Sequence, residues 1–403
     1  MAEYGNTPLL DELEKGPWPS FVKEIKTAAA KNEMSNDLLN QLELSYETKK
    51  GYWKHGGIVG VKGYGGGVVG RYSQLADQYP HLAEFHTMRL NAPSGFFYNT
   101  AKLRTICDIW EKHGSGLTNV HGTCGDLVML GCKTEELQPT FDEFSEEEID
   151  LGGSGSDLRT PVACVGPGYC EHACYDTLDM CTDITNEWQD ELHRPMWPYK
   201  SKIKMSGCAN DCVGAGARAD IAVIGTWRDS ITIDNDEVKK YAAEGMDVAA
   251  VAHKCPTKCL TYDKETGELS VEAKDCTRCM HCINNMGRAI KQGKEKGATI
   301  LVGAKSTIVK SPFMAWVLVP FMKMESPYDE FKELVNNIWD WWDENGKTRE
   351  RLGETIYRMG MGEFLRGIDM PAVPQMVWRP RANPYVFWQP DEVQARPEEE
   401  AAE

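Results

Sequence analysis

The chain has 403 residues, 41% of them hydrophobic, which is long enough for two or three domains with sizeable cores. A formal net charge of −17 argues against nucleic acid or an anionic membrane as the main partner. The longest apolar run, Phe313 to Met322, is broken by Pro320 and is too short to cross a bilayer, so no membrane insertion is expected. Because Met1 to Gly16 is acidic and has no apolar run, we expect no secretory signal and a cytoplasmic location. In that reducing compartment the 14 cysteines are expected to be metal ligands and not disulfides.

The first 70 residues are predicted to form a charged helical arm followed by a glycine-rich segment. Ser20 is placed to cap one helix, and the run Ser35 to Asp37 is placed to cap a second. Residues 51–70 contain many glycines, which allow either a close approach of the backbone to a cofactor or an ordinary loop with tight turns. Both interpretations of this segment remain open.

Residues 86–155 are predicted to contain a strand, a helix and a second strand, followed by a linker. His86 to Leu90 and Leu127 to Leu130 are strand-like, and Thr100 is placed to cap the helix between them. The acidic stretch from Glu143 to Gly155 is predicted to be a solvated surface loop.

The C-terminal part is predicted to contain a strand at 298–303 and then a helix that carries an apolar face formed by Leu334, Ile338, Trp341 and Trp342. From Pro371 the chain is rich in proline and arginine, and its aromatic residues cannot build a core alone. We expect an extended arm laid on a partner; a terminus packed on its own chain or left disordered is the alternative.

Four cysteines between residues 158 and 235 have the spacing of a cluster-binding set. Cys164 and Cys170 are separated by five residues, and Cys208 and Cys212 by three. A [4Fe–4S] cubane needs four converging thiolates. A zinc ion is the alternative metal for four cysteines, but a gap of five residues between paired cysteines is atypical of zinc knuckles.

The pair Cys-x5-Cys and, 38 positions later, Cys-x3-Cys in Met-Ser-Gly-Cys-Ala-Asn-Asp-Cys is similar to the signature of the sirohaem-dependent sulfite and nitrite reductases. The resemblance implies an α+β fold of sirohaem sulfite reductase-like α/β domains. It also implies sirohaem, or metal-free sirohydrochlorin, as a cofactor. By the same resemblance Cys212 bridges the cluster to the sirohaem iron.

Basic residues near this motif are candidates for binding an oxyanion. Lys200, Lys202 and Lys204 alternate just before Cys208, and on a strand all three would point to one face. The resemblance implies a ring of arginines and lysines around sulfite, for which Arg89 and Arg159 complete the set. It also implies contacts to the tetrapyrrole carboxylates, for which the candidates are Arg71, Thr118, His121 and Thr123.

A second cysteine set lies in residues 238–297. Cys276, Cys279 and Cys282 form Cys-x2-Cys-x2-Cys and, with the Cys255-Pro256 pair, resemble half of a bacterial-type ferredoxin. Cys255 is the preferred fourth ligand of this second [4Fe–4S] cluster, and Cys259 is the alternative. The other cysteines are predicted to be small buried apolar residues: Cys107, Cys124, Cys132, Cys174 and Cys181.

The order of the motifs resembles the alpha subunit of the dissimilatory sulfite reductases, with an inserted ferredoxin domain. The predicted domains are a helical arm (1–55), a ferredoxin-like half-domain (56–150), a sirohaem/4Fe–4S domain (151–237 and 298–370), the inserted ferredoxin domain (238–297) and a C-terminal arm (371–403). With one copy of the sulfite reductase repeat, the chain is expected to need a homologous beta subunit in an α2β2 assembly. The resemblance further implies a small sulfur-carrier protein with C-terminal cysteines as a partner.

The resemblance implies reduction of sulfite toward sulfide, with the ferredoxin cluster receiving electrons first. Three alternatives remain: an electron-transfer subunit whose own tetrapyrrole is inactive, a sirohaem nitrite reductase, and a reverse-acting enzyme of a sulfur oxidiser.

Overall fold

A computed structural model describes residues 5–57, 59–121, 125–306 and 312–373. The helices are α1 Pro8–Glu14, α2 Phe21–Ala29, α3 Glu33–Thr48, α4 Thr100–His113, α5 Thr134–Glu146, α6 Thr177–Glu187, α7 Gln189–His193, α8 Ala215–Arg218, α9 Asn235–Ala243, α10 Val248–His253, α11 His281–Asn285, α12 Asp329–Asn345, α13 Leu352–Met359 and α14 Met361–Gly367. The strands are β1 Trp53–His55, β2 Val68–Val69, β3 Arg71–Ser73, β4 His86–Leu90, β5 Leu117–His121, β6 Asp126–Cys132, β7 Val162–Ala163, β8 Ile203–Ser206, β9 Ile221–Trp227, β10 Thr232–Ile233, β11 Leu260–Asp263, β12 Glu268–Val271, β13 Ile290–Lys291, β14 Lys296–Val302 and β15 Trp316–Met322. None of the helices within these ranges is long and apolar enough to span a membrane.

The chain divides into two units, and the first comprises the described residues of 1–161 together with 185–200. Its centre is an antiparallel sheet in the order β2-β4-β6-β5. One face of the sheet packs Met88, Leu90 and Met129 against apolar side chains of α4 and α5, such as Trp110 and Phe144. The opposite face carries the side chains that alternate with these, which include Arg89 and Asp126 as well as the apolar Val128 and Leu130.

The N-terminal helices of this unit form a second small core. Leu10, Val22 and Leu39 come from α1, α2 and α3, and they pack with Leu82 and Phe85.

Two predicted helix starts in this unit differ in outcome. Ser20 caps α2 as predicted, since its side chain accepts a hydrogen bond from the Val22 backbone. The predicted start of α3 at Ser35–Asp37 is wrong, because Asn32 caps the helix by accepting from Ser35 N at 3.2 Å. A cap available three residues earlier lets the helix begin one turn sooner.

The strands predicted at 86–90 and 127–130 are confirmed as β4 and as part of β6. The helix between them is also confirmed, although Asn99 caps it and not Thr100, which is its first residue.

The predicted solvated loop at 143–155 is wrong. Its first residues extend α5 to Glu146, and Leu151 to Ser154 are buried. Gly152 donates to the Arg89 carbonyl at 2.8 Å, and a Cβ there would lie 2.6 Å from an Asp126 carboxylate oxygen. The glycines therefore let this segment pack directly against β4, which its acidic composition did not indicate.

The second unit comprises residues 162–184 and the described residues from 201 onward. Its sheet has the order β15-β14-β9-β8-β7, in which β7, β8 and β9 are parallel and the other pairs are antiparallel. Every residue of β9 is buried. The strand predicted at 298–303 is confirmed as most of β14, and α12 buries its predicted apolar face.

Between β9 and β14 the chain forms a smaller assembly. The two-stranded sheets β10–β13 and β11–β12 surround a core that contains Val238, Val251, Leu269 and Ile283. This assembly is built from short helices and strands and lies within the segment predicted as an inserted ferredoxin domain (238–297).

Candidate functional site

Three arginines lie near one another in the first unit. Arg89, on β4, donates from Nη1 to Asp126 Oδ2 at 2.7 Å. Arg159 donates from Nη1 to Asp157 Oδ1 at 2.6 Å. Burial lowers the pKa of Arg71, and the nearby positive charge of Arg89 lowers it further.

Two buried carboxylates hold the arginine cluster in place. Asp126 also accepts from Thr160, and Asp157 also accepts from the backbone N–H of Ser154 at 2.9 Å. Burial raises the pKa of Asp157 to about 7, although the Arg159 guanidinium opposes this shift. Buried like charges are costly unless an anion joins them. Within the described residues, Arg71 Nε is buried and has no hydrogen-bond partner, so the cluster is suited to bind an anion.

The glycine-rich segment packs tightly beside this cluster. The backbone N–H groups of Gly65 and Gly66 both donate to the His193 carbonyl at 2.9 Å. A Cβ on Gly66 would lie 2.1 Å from Asp157 Oδ2. The absence of a side chain there is therefore required by the Asp157–Arg159 pair itself.

The three lysines differ from their predicted arrangement. Only Lys204 lies in a strand, because β8 begins at Ile203. Lys204 is 1% exposed, and its ammonium donates to the Val213 carbonyl at 2.9 Å. Lys202 is half-buried, and the Lys200 ammonium lies 4.8 Å from the centre of the Tyr199 ring. The prediction of one lysine face on one strand is therefore wrong, and Lys204 holds the loop that ends at Cys212.

The carboxylate-binding candidates on β5 do not come together. Thr118 and His121 are three positions apart on this strand, and because successive side chains alternate between the two faces, theirs point to opposite faces of the sheet. His121 pairs with Asp126 and shares the face of Arg89, whereas Thr118 does not. Thr123 lies outside the described residues.

The first cysteine set converges in the second unit. Cys164 follows β7 and the Cys208–Cys212 loop follows the adjacent strand β8, so two parallel strands deliver both pairs to one edge of the sheet. Burial raises the pKa of Cys208 to about 11, with a further contribution from the neighbouring Cys170 and Cys212 thiols. The Gly207 N–H donates to Cys164 Sγ at 3.1 Å, which is the type of bond that stabilises a cluster thiolate.

Asp211 organises the loop between Cys208 and Cys212. Its carboxylate accepts from Ser206 Oγ at 2.6 Å and from the backbone N–H groups of Ala215 and Gly216 at 2.7 and 3.0 Å. It thereby ties the loop to the end of β8 and the start of α8. Sequence reasoning missed this role, although an Asp shortly before a short helix is a capping signal.

The second cysteine set lines a small cavity in the same unit. The cavity wall includes Cys255, Cys259, Cys276, Cys279 and Cys282, together with apolar side chains such as Trp227 and Ile283. The sulfurs of Cys255 and Cys259 are 3.4 Å apart. A hydrogen bond from the Cys259 thiol lowers the pKa of Cys276. This donor set and its apolar surroundings fit an iron–sulfur cubane.

Neither cysteine set is arranged around a single ion. Within the described ranges no three His, Cys, Asp or Glu side chains converge closely enough to hold one metal ion. A four-iron cluster is wider than one ion and holds its thiolates farther apart, so the spacing is compatible with a cluster.

The other cysteines are only partly as predicted. Cys132, Cys174 and Cys181 are buried, whereas Cys107 is exposed on α4, which contradicts its prediction as a buried residue. Cys124 lies outside the described residues.

Comparison with known proteins places the chain in a family. The model of the nitrite and sulphite reductase 4Fe–4S domain matches residues 154–374, and that of the nitrite/sulfite reductase ferredoxin-like half domain matches residues 79–147. The dissimilatory-type sulfite reductase alpha subunit of Nitratidesulfovibrio vulgaris is 49% identical, over 98% of this chain and 96% of that protein. The chain belongs to the dissimilatory-type sulfite reductase alpha subunit family.

Two further relatives are also dissimilatory sulfite reductases. The crystal structure of dissimilatory sulfite reductase I superposes with a TM-score of 0.87, at 49% identity and with 98% of both chains covered. The dissimilatory-type sulfite reductase beta subunit of Archaeoglobus fulgidus is 25% identical over 84% of this chain and 90% of that protein. The alpha-subunit fold is the α+β architecture expected from the sequence, and the family implies iron–sulfur and sirohaem cofactors.

Proposed function

We propose that this chain is the alpha subunit of an enzyme that reduces sulfite toward sulfide at a coupled sirohaem–[4Fe–4S] centre. The convergence of Cys164, Cys170, Cys208 and Cys212 at one edge of the second unit's sheet carries this proposal. When bound, sirohaem and its cluster supply electrons to the sulfur of sulfite. Exposed Cys212 is the thiol available to join the cluster to the sirohaem iron.

The arginine cluster is proposed to bind the anions of this reaction. Arg89 and Arg159 are assigned to sulfite, and Arg71 is assigned to a sirohaem carboxylate together with His121. Asp126 and Asp157 orient the guanidinium groups and keep them at fixed positions before the anion arrives. Such preorganisation places positive charge where negative charge accumulates. Lys200 and Lys202 are assigned to the same oxyanion-binding set, and Lys204 to that set and to the support of the Cys212 loop.

The second cysteine set is proposed to hold a [4Fe–4S] cluster that receives electrons first. Cys255, Cys276, Cys279 and Cys282 are the assigned ligands, and Cys259 remains the alternative to Cys255 because both line the cavity. The two [4Fe–4S] clusters would then lie in one chain, and electrons would pass from the second set to the first.

The partners are proposed from the family and from the single sulfite reductase repeat. Each of the two domain models matches the chain once. We therefore assign a homologous beta subunit as partner in an α2β2 assembly, and a small protein with C-terminal cysteines as the acceptor of partly reduced sulfur. A cytoplasmic location is proposed because cysteines used as cluster ligands, and not as disulfides, are typical of a reducing compartment.

A second function follows from the single sulfite reductase repeat, since each domain model matches the chain once. In it, this chain is an electron-transfer subunit whose own tetrapyrrole does no chemistry, and turnover takes place entirely at the partner subunit. Measuring the metal content of each tetrapyrrole site, and the turnover of Lys202→Ala in the purified complex, separates the two functions. A metal-free tetrapyrrole in this chain and unchanged turnover would favour the second.

The test of anion binding is Arg89→Met in the purified complex. We expect sulfite binding to weaken by at least ~2 kcal/mol, because the change removes a buried charge-assisted contact and leaves Asp126 uncompensated. Arg194→Met is the matched control, since Arg194 lies in the same unit in an exposed ion pair with Asp190. Equal sulfite affinity in both variants, with iron content unchanged, would contradict the assignment of Arg89.

A further inference from the structure

The two cysteine sets are joined by a reciprocal pair of side-chain amides. Asn210 lies between Cys208 and Cys212, and Asn284 lies two residues after Cys282. Asn284 Nδ2 donates to Asn210 Oδ1 at 2.7 Å, and Asn210 Nδ2 donates to Asn284 Oδ1 at 3.2 Å. These residues are 74 positions apart in the chain, so the contact is purely tertiary.

Each amide projects from a segment that is already fixed by backbone bonds. Asn284 lies in α11, where its N–H donates to the Met280 carbonyl at 2.8 Å. Asn210 precedes Asp211, whose N–H donates to the Cys208 carbonyl at 3.1 Å and whose carboxylate anchors the loop. The amide pair therefore ties together two rigid cluster-binding segments.

The surfaces beneath the pair are in apolar contact. Cys208 belongs to the same buried core as Met280, and Ala209 and Cys282 pack against that core. A buried side chain also bridges the two sides, because Gln292 Nε2 donates to the His172 carbonyl at 2.7 Å and contacts Met280 Sδ at 3.5 Å. The two cysteine sets are therefore joined by direct protein contacts.

We propose that the Asn210–Asn284 amide pair is the hydrogen-bonded link through which electrons pass from the second cluster to the first. The covalent route runs from Cys282 through Ile283 to Asn284, crosses the amide pair to Asn210, and continues through Ala209 to Cys208. Covalent and hydrogen-bonded steps transmit electronic coupling better than van der Waals gaps do. The inference rests on the proposed function, in that both cysteine sets hold clusters.

The proposed step moves one electron and no proton. The cluster on the second set is oxidised by one electron and the cluster on the first set is reduced by one. A low-potential one-electron reductant, such as titanium(III) citrate, supplies the electron. Asn210 and Asn284 are positioning residues in this step, since neither touches sulfite.

The experiment uses the purified complex with Asn210→Ala, Asn284→Ala and Asn284→Asp. Asn285→Ala is the matched control, because Asn285 is also exposed on α11 and donates only within its helix, to the His281 carbonyl. Since Asn210 and Asn284 are exposed, truncation to alanine opens no cavity in the core. Rapid mixing with titanium(III) citrate, followed by freeze-quench electron paramagnetic resonance, gives the rate at which the electron reaches the first cluster.

We expect both alanine variants to slow this rate several-fold while iron content and the magnetic coupling between the reduced clusters stay unchanged. The double alanine variant should be no slower than either single variant, because one shared contact is lost. Asn284→Asp keeps the acceptor for Asn210 Nδ2 but replaces the donor to Asn210 Oδ1 with an oxygen, so its rate should lie between those of the unmodified complex and Asn284→Ala. Rates equal to that of Asn285→Ala would overturn the inference, as would additive effects in the double variant. If the unmodified complex holds iron for only one cluster per chain, the proposed function fails instead.

Discussion

Arg278 is predicted to set the reduction potential of the cluster in the second cysteine set. This residue lies between Cys276 and Cys279 and is 7% exposed. Its guanidinium donates to the carbonyls of Trp227, Arg228 and Cys276 at 2.6, 2.8 and 3.1 Å. A positive charge held this close favours the reduced cluster, which carries one more negative charge. Arg278→Gln should therefore lower the reduction potential.

The size of the shift follows from Coulomb's law. Two unit charges roughly 6 Å apart at an effective dielectric constant of about 20 interact by roughly 3 kcal/mol. For a one-electron couple this corresponds to roughly 120 mV, and delocalisation of the cluster charge reduces the expected shift to between about 50 and 120 mV. A redox titration followed by electron paramagnetic resonance measures this potential in the purified complex.

The control for Arg278 is Arg288→Gln, which removes the same charge from the same unit. Arg288 is 52% exposed at its side chain and pairs with Glu237 and Glu244 at the surface. Solvent screening should limit its effect to a small fraction of the Arg278 shift. An equal shift in both variants, or an upward shift in Arg278→Gln with iron content unchanged, would refute the reasoning.

Three further predictions concern stability, pH and cluster loading. Arg351→Met breaks a buried bidentate pair with Asp220, at 2.8 and 2.6 Å, and should cost about 3–5 kcal/mol in chemical denaturation. Arg366→Met, which loses only an exposed pair with Glu363, should cost less than about 1 kcal/mol, and equal costs would contradict the argument. For Asp157, the folded-state pKa of about 7 lies above its unfolded value, so the folded chain retains a proton that the unfolded chain loses. The free energy of unfolding should therefore fall as pH rises from about 4 to about 7, by up to about 1.4 kcal/mol per pH unit. Asp157→Asn should lack this contribution to the pH dependence. If the free energy of unfolding changes equally with pH in both proteins, Asp157 does not make this contribution. Lys204→Met leaves the Val213 carbonyl without its ammonium donor and should lower the iron content of the first cysteine set, as measured by iron analysis. The control Lys202→Met should keep its iron. Full iron loading of Lys204→Met would show that the loop does not need this bond.

The sequence predicted those strands and helices whose pattern of apolar residues can be read within the segment itself. The strand at His86–Leu90 and the apolar face of α12 follow from side-chain periodicity, which the packing of the sheet and helix preserves. Both cysteine sets were recognisable from their short spacings, and the structure brings the cysteines of each set close together. The match to a 4Fe–4S domain model agrees with an iron–sulfur protein, and the assignment of individual cysteines as cluster ligands stays a prediction.

The sequence did not predict contacts between distant segments. The acidic stretch before Gly155 has the composition of a surface loop, yet Gly152 packs against Arg89 and Asp126 because it lacks a side chain. The alternation of Lys200, Lys202 and Lys204 suggested one strand face, but a strand begins only where a neighbour pairs with it, and here that point is Ile203. The assignments of the remaining anion-binding and carboxylate-binding residues stay predictions.

The hydrogen bonds of Asp211 have a consequence for the maturation of the protein. A preformed metal site rarely exists in an unfolded chain, so metal binding is often coupled to folding. Here Ser206, Ala215 and Gly216 already fix the turn that carries Cys208 and Cys212. This turn does not depend on a bound group for its shape, and we therefore expect it to keep that shape when the prosthetic groups are removed.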